Sequence, residues 1–570
     1  MKISSRYYPF LCVAAIMLPC RTFAQAPTPT PPSADVDPSG FIDQSDLFVV
    51  ADGWHNETDF SGGDIDGSTR VGPEDVLILL ERWRTSTTKD APLRLEWVKH
   101  PGGSNTEVFA SEIAALPDGS FLVTGGFHGS VTFGDGGNAI TVTTRGQGDS
   151  FVAKYNSDGT ILWVKQSGGP DAFVDTRGFG ASADGSFAVT GLFGGAATFG
   201  EGPNRRSLTS FGRFDIFVAK YASDGTLEWV TQSGESDSGE YEIGQDVAIS
   251  SDGSVLMTGF FWGVSSFRPG NRCRGFRPLT LTSRGHHDIV AAKYNPQGCL
   301  LWASQAGGSG PDNGCGIGPT PGGGALVVGA YFYPFSIFGT GDREVVLNLE
   351  SGESSHGFMA KYNQDGQLDW VRRIGSAFVG AVSVLPDGCG LLTGSFSTTA
   401  NFGGSDDGLV ITPVGDTDMI IAKYQLDGSL AWVSQAGGTD FFGQGLGITT
   451  LPDGSSIVAG EFSPPGVGGA PGNTFNFGVG DREVTLASRG DTDIFVSKYD
   501  PHGNFVWAER AGGPGRDYFS DVSAAPDGSI FVTGQFSGEA TFGEGDNQVT
   551  LTSIGDFGAF IAKYVPVELP

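Results

Sequence analysis

Basic residues are scarce in this 570-residue chain: 34 lysines and arginines stand against 64 aspartates and glutamates, and charged residues of both signs make up only 17%. The formal charge of −30 repels nucleic-acid phosphate and anionic membrane and favours cations, so no nucleic-acid partner is expected. The apolar run from Pro9 to Pro19 is too short to span a bilayer, so no membrane span is expected either. Histidine numbers only seven, at positions 55, 100, 128, 286, 287, 356 and 502, with no common spacing. The GxSxG, HExxH and phosphate-loop signatures are absent, and no carboxylate spacing singles out a glycosidase pair. Cysteine numbers six without a CxxC, which weighs against a thiolate metal site.

Glycine, by contrast, reaches 90 residues, a composition suited to short strands joined by tight turns. At the start, Lys2 and Arg6 precede the apolar run and small residues stand at Ala24 and Ala26. This reads as a signal peptide over residues 1–26 and predicts a secreted or cell-surface protein. Cys20 is an alternative acylation site, which Pro19 before it disfavours. Cleavage leaves Cys273, Cys299, Cys315 and Cys389, which allow three pairings and up to two disulfides.

A Pro-rich linker at 27–34 leads into residues 35–84, which carry a duplication with a period of 29. Its copies, DVDPSGFIDQSDLFVVADGW and DIDGSTRVGPEDVLILLERW, each join an Asp- and Gly-rich loop to an apolar helical stretch ending in Trp54 or Trp83. A second linker occupies 85–92. From residue 93 to 567 one pattern then recurs seven times: a strand of the FVAKY type, a turn such as SDG, and a strand ending in Trp. The tryptophans are Trp97, Trp163, Trp229, Trp302, Trp370, Trp432 and Trp507, and the lysines Lys154, Lys220, Lys293, Lys361, Lys423, Lys498 and Lys563. Each unit adds a hairpin of the LPDGSFLVTG type and an insertion bearing a Phe-Gly pair; the third copy has Phe267 followed by Arg268.

Four-stranded units that cannot bury both faces alone are expected to stack radially, giving an all-β, seven-bladed β-propeller. The region begins with a lone Trp strand, LRLEWV, and ends on a lone AKY strand, so the first is expected to complete the last blade. These units resemble the bacterial SBBP-type propeller repeat, a resemblance that implies fold more than function. The preceding segment resembles a dockerin, the small helical module of paired half-EF-hand loops that binds cohesin-like proteins. The resemblance implies calcium held by oxygens of Asp35, Asp37, Ser39 and Asp46 in one loop and Asp64, Asp66, Ser68 and Asp75 in the other. Thr69 replaces the turn glycine of the second loop. Gln44-Ser45 and Pro73-Glu74 depart from the Ser/Thr pairs through which familiar dockerins read cohesins.

Within the repeats, the ring of lysines is expected to lie between blades and pair with acids, with Asp149, Asp215, Asp288, Asp418 and Asp493 as candidates. His286-His287 is expected to lie at the surface rather than to form a metal or base site, because neighbours on a strand point to opposite faces. Acids follow the Trp strand in six loops, at Glu107, Asp171, Asp237, Asp312, Asp440 and Asp517. They either form a cation- or sugar-binding face with adjacent aromatics or cap their own turns. The expected function is a non-catalytic propeller that binds polysaccharide or protein and is attached through the dockerin-like module. A polysaccharide hydrolase or lyase and a purely structural surface protein are the alternatives.

Overall fold

A computed structural model describes residues 93–567, apart from 104–106, 236–240, 271–272, 274, 333, 350–352, 404–407, 440 and 465–473. The leader, the dockerin-like segment and its eight oxygen donors lie outside the described residues. Those described belong to one compact unit, Pro92–Val567. No helix in it is long and apolar enough to cross a membrane.

Local chemistry sets the strands. Alternating apolar residues flank an Asp-Gly turn in which the carboxylate accepts the amide two residues on, as Asp118 does from Ser120 at 2.9 Å. Among the described residues the antiparallel pairing repeats seven times as four strands in sequence order, here a to d in sheets 1 to 7. Sheet 1 is Glu107–Ala115, Phe121–His128, Asp149–Tyr155 and Ile161–Ser167. The remaining first strands are Phe173–Ala181, Ile243–Ile249, Asn313–Pro319, Ala377–Val384, Phe442–Thr450 and Asp517–Ala524. They pack side by side in a closed cycle, the seventh against the first. The chain is a β-propeller.

Sheet 7 takes its fourth strand, Leu93–Lys99, from the far end of the chain, paired antiparallel with Gly558–Pro566. The register is that of every other sheet: Trp97 faces Lys563 as Trp163 faces Lys154. Leu93 and Leu95 are buried in the seam. The phenylalanines of the inserted hairpins, Phe133 to Phe542, are all buried, and in six sheets the glycine that follows has positive φ, 76° at Gly134. Arg268 cannot turn the chain in that way, and sheet 3 instead runs its strands straight into the insertion as Val255–Phe267 and Leu279–Tyr294. A disulfide between Cys273 and Cys299 ties this insertion to the head of strand d.

Candidate functional site

Most of what the seven sheets share is engaged in the joints between them. Trp302 donates its indole N–H to the Gln364 carbonyl of the next sheet at 3.0 Å, and Trp229, Trp370 and Trp432 repeat the contact. A Cβ on Gly366 would stand 2.6 Å from the Trp302 ring, so the turn glycine is required for the indole to seat. The lysines do lie at the joints, but the strand-c aspartates are not their partners. Asp215 accepts the amides of Phe211 and Gly212 and the Gln232 side chain, which holds the loop before its own strand. Lys498 instead faces Asp453 of the Asp-Gly turn at 3.8 Å, while Lys220 donates to the Gly253 carbonyl of sheet 3. The reason is length: strand c separates the aspartate at its head from the lysine near its foot.

The four described loop acids do not form a face. Asp312 and Asp517 are fully buried and accept the amides of Gly308 and Gly513, each at 2.7 Å. Glu107 and Asp171 are exposed, and Asp237 and Asp440 lie outside the described residues. Glu242, which the sequence did not single out, occupies the same place in sheet 3. It is buried, bonded by Ser265 Oγ at 2.8 Å, and its pKa is pushed up to about 8 by burial.

Two sets of unlike residues remain. The first lies on the inner strands, where a β-bulge recurs in all seven sheets. The residue after it is small in four sheets (Gly178, Gly316, Ala381, Gly447) and acidic in three: Glu112, Asp246 and Asp521. Asp246 and Asp521 each accept an amide of the next sheet, Ile317 at 2.8 Å and Ile113 at 2.9 Å. Glu112 hydrogen-bonds Asp521 across the joint between sheets 1 and 7. Asp521 is held as the acceptor by backbone N–H groups, so Glu112 is the donor and keeps its proton. Burial and the charges of Asp521 and Asp246 drive its pKa well above the carboxylate range. Higher in the ring, Glu461 is 5% exposed and accepts the Phe519 amide at 3.0 Å and Gln444 Nε2 at 3.4 Å; burial raises it to about 8.

The second set is aromatic and belongs to sheets 2 and 3. Phe214 and Tyr241 stack at 5.6 Å with the Arg213 guanidinium 5.0 Å above Tyr241, and Phe173 meets Phe214 edge-on at 5.7 Å. Buried Leu192, Ile243 and Phe260 support Phe173 and Phe214 from beneath. Beside them Trp262 lies 3.8 Å from His286, and His286 Nδ1 stands 2.7 Å from His287 Nδ1. That convergence corrects the expectation of opposite faces: the ladder shifts register between Trp262 and Val264, breaking the alternation where the histidines sit. Burial and its neighbour lower the His287 pKa to about 4, so its imidazole is neutral. Among the described residues no group of three or more His, Cys, Asp or Glu gathers as a metal would require. A signal for both sets was present in the sequence, as positions where the repeats disagree.

No protein-family model matches the chain. Over 417 residues, 63% of the chain, it is 23% identical to an uncharacterized WD repeat-containing protein of Acanthamoeba polyphaga mimivirus. Over 121 residues, 21% of the chain, it is 31% identical to the regulatory protein FlaEY of Caulobacter vibrioides. The chain spans 29% and 12% of those relatives' lengths. The WD40 repeats of RRP9 overlay with a TM-score of 0.29 at 9% identity, covering 82% of this chain and 100% of that one. A gluconolactonase from Xanthomonas campestris gives 0.26 at 14% identity, covering 64% and 95%. Overlays at these scores carry no argument, whereas the WD-repeat relative agrees with a β-propeller repeat protein.

Proposed function

We propose that this chain is a secreted, non-catalytic, seven-bladed β-propeller of the SBBP-repeat kind that binds polysaccharide or protein through sheets 2 and 3. The supporting observation is the division of labour among its residues. What the repeats share is engaged in packing, whereas the aromatic rings left exposed belong to two neighbouring sheets. Retention of the full chain on immobilised polysaccharides tests this reading. Binding is expected, weakened at least tenfold by Tyr241→Ala with melting unchanged, and binding that ignores Tyr241 refutes the assignment of the face.

Attachment or assembly, in this proposal, runs through residues 35–84 and a cohesin-like partner. Calcium would be held by Asp35, Asp37, Ser39 and Asp46, and by Asp64, Asp66, Ser68 and Asp75, oxygen donors suited to a hard cation. Calorimetry on the full chain is expected to show calcium uptake that the double variant Asp35→Ala/Asp64→Ala loses; no uptake removes the module from the proposal.

A second reading, an enzyme acting on polysaccharide, takes its support from the Glu112–Asp521 pair, in which one carboxyl keeps a proton beside an ionised partner; their hydrogen-bonded contact suits a proton-transferring lyase rather than a hydrolase, whose carboxyls stand ~5–9.5 Å apart. Turnover on a polysaccharide panel that Glu112→Gln abolishes would replace the non-catalytic reading with this one.

A further inference from the structure

The inserted hairpins of sheets 2 and 3 invert the charge of the chain around them. Residues 199–214 hold Arg205, Arg206 and Arg213 against Glu201 alone, and residues 263–287 hold five arginines and no acid, in a chain of net charge −30. The two segments are physical neighbours. Phe267 of sheet 3 pairs with Ser233, the last residue of sheet 2, and Arg268 lies 4.0 Å over the Phe211 ring. Arg268 is also fixed from below by the Gly234 carbonyl at 2.8 Å. Among the described residues no carboxylate stands within ion-pair distance of Arg205, Arg206, Arg213 or Arg277.

Aromatic exposure concentrates on these two segments and on Tyr241, which bridges to Phe214 at the end of the first. Phe211 is 43% exposed, Tyr241 39% and Phe276 46%, and no other aromatic residue is a large exposed hydrophobic among the described residues. Phe276 falls between Arg274 and Arg277 in the sequence, and Arg213 lies over Phe214 and Tyr241. The Cys273–Cys299 disulfide fixes one of the two segments, and the buried Leu192–Ile243–Phe260 cluster underlies Phe214 beside the other.

From this pairing of exposed ring faces with guanidinium groups that, Arg268 with Glu235 apart, have no carboxylate partner among the described residues, we infer that the inserted hairpins of sheets 2 and 3 bind an acidic polysaccharide, one carrying uronate carboxylates or sulfate esters. Guanidinium groups take carboxylates and tetrahedral oxyanions such as sulfate in two parallel hydrogen bonds, and aromatic faces stack on the apolar faces of sugar rings. A single-stranded nucleic acid uses the same two kinds of group at a comparable charge density, and is therefore set against the acidic glycans in the test. The inference rests on the binding reading above and names its ligand.

Affinity electrophoresis of the full chain through gels containing polygalacturonate, dextran sulfate, neutral dextran or poly(dT) tests it. The expected result is retardation by polygalacturonate or dextran sulfate, weakened by added salt and reduced at least tenfold in Arg213→Ala/Arg277→Ala with an unchanged melting temperature. Retardation by dextran alone overturns the acidic ligand and leaves the binding reading standing. Poly(dT) retarding the chain as strongly as the acidic glycans overturns it in favour of nucleic acid. No retardation by any polymer removes both, and retardation that the double variant retains removes this site.

Discussion

Glu461 gives the sharpest test of how this ring is held together. Its carboxyl is 5% exposed on strand b of sheet 6 and reaches across the joint to the Phe519 amide of sheet 7, and burial raises its pKa from 4.5 to about 8. In the unfolded chain the group ionises near 4.5. Between these two values the folded state therefore holds a proton that the unfolded state releases, so stability falls as pH rises through the window and is lowest above about 8. At ~1.4 kcal/mol per unit, the three units from pH 5 to pH 8 correspond to ~4 kcal/mol. Glu461→Gln keeps an acceptor for the Phe519 amide and removes the titration, once Gln444 turns its amide to face the new one. Using ~2 cal/mol/K per residue for the unfolding entropy of a unit this size, ~4 kcal/mol corresponds to a melting shift of about 4 °C. Calorimetric melting of both proteins at pH 5, 6.5 and 8 should show the variant gaining on the wild type by that amount as pH rises. Other buried carboxyls, Glu242 and Asp517 among them, drift alike in both proteins and cancel in the difference. A gap between the two that stays constant from pH 5 to pH 8 would refute the argument.

Gly366→Ala places a Cβ 2.6 Å from the Trp302 ring at a φ of +77°, and should cost about 3 kcal/mol in urea unfolding. Gly341→Ala, at φ +60° with open space around it, should cost only the backbone part, about 1 kcal/mol; equal losses would show that the indole is not the constraint. Leu95→Ala in the closing strand should destabilise the ring by ~2–5 kcal/mol, and an effect under about 1 kcal/mol would mean the seam does not depend on that strand. Asp246→Ala leaves the Ile317 amide without its acceptor and should cost ~1–3 kcal/mol below about pH 6, while Asp246→Asn should be nearly neutral there; hydrogen exchange at Ile317 separates the two.

The placement of candidate residues divides along one line. Wherever the repeats agree, as at Trp302, Lys498 or Phe477, identical residues occur because identical joints need them, and reading them as packing was sufficient. The errors arose where a side chain's reach depended on the ladder. Asp215 looked like a partner for Lys220, but four residues of extended strand separate them, and the lysine meets the next turn instead. For Asp312 and Asp517 two readings were open, an acidic face or caps of their own turns, and they are buried caps. His286 and His287 looked divergent until a shift of register turned them together.

By itself the sequence determined the sevenfold period, the strand pattern within each unit and the pairing of the first Trp strand with the last AKY strand. Those follow from local alternation, turn chemistry and the phase of the repeat, all of which act over a few residues. Tertiary structure decided what becomes neighbour to what around the ring: Glu112 against Asp521 at 409 positions' remove, Arg268 over Phe211, Glu461 under Phe519. Such contacts arise only when the last sheet meets the first and each insertion lies against the sheet beside it, which no periodicity along the chain encodes.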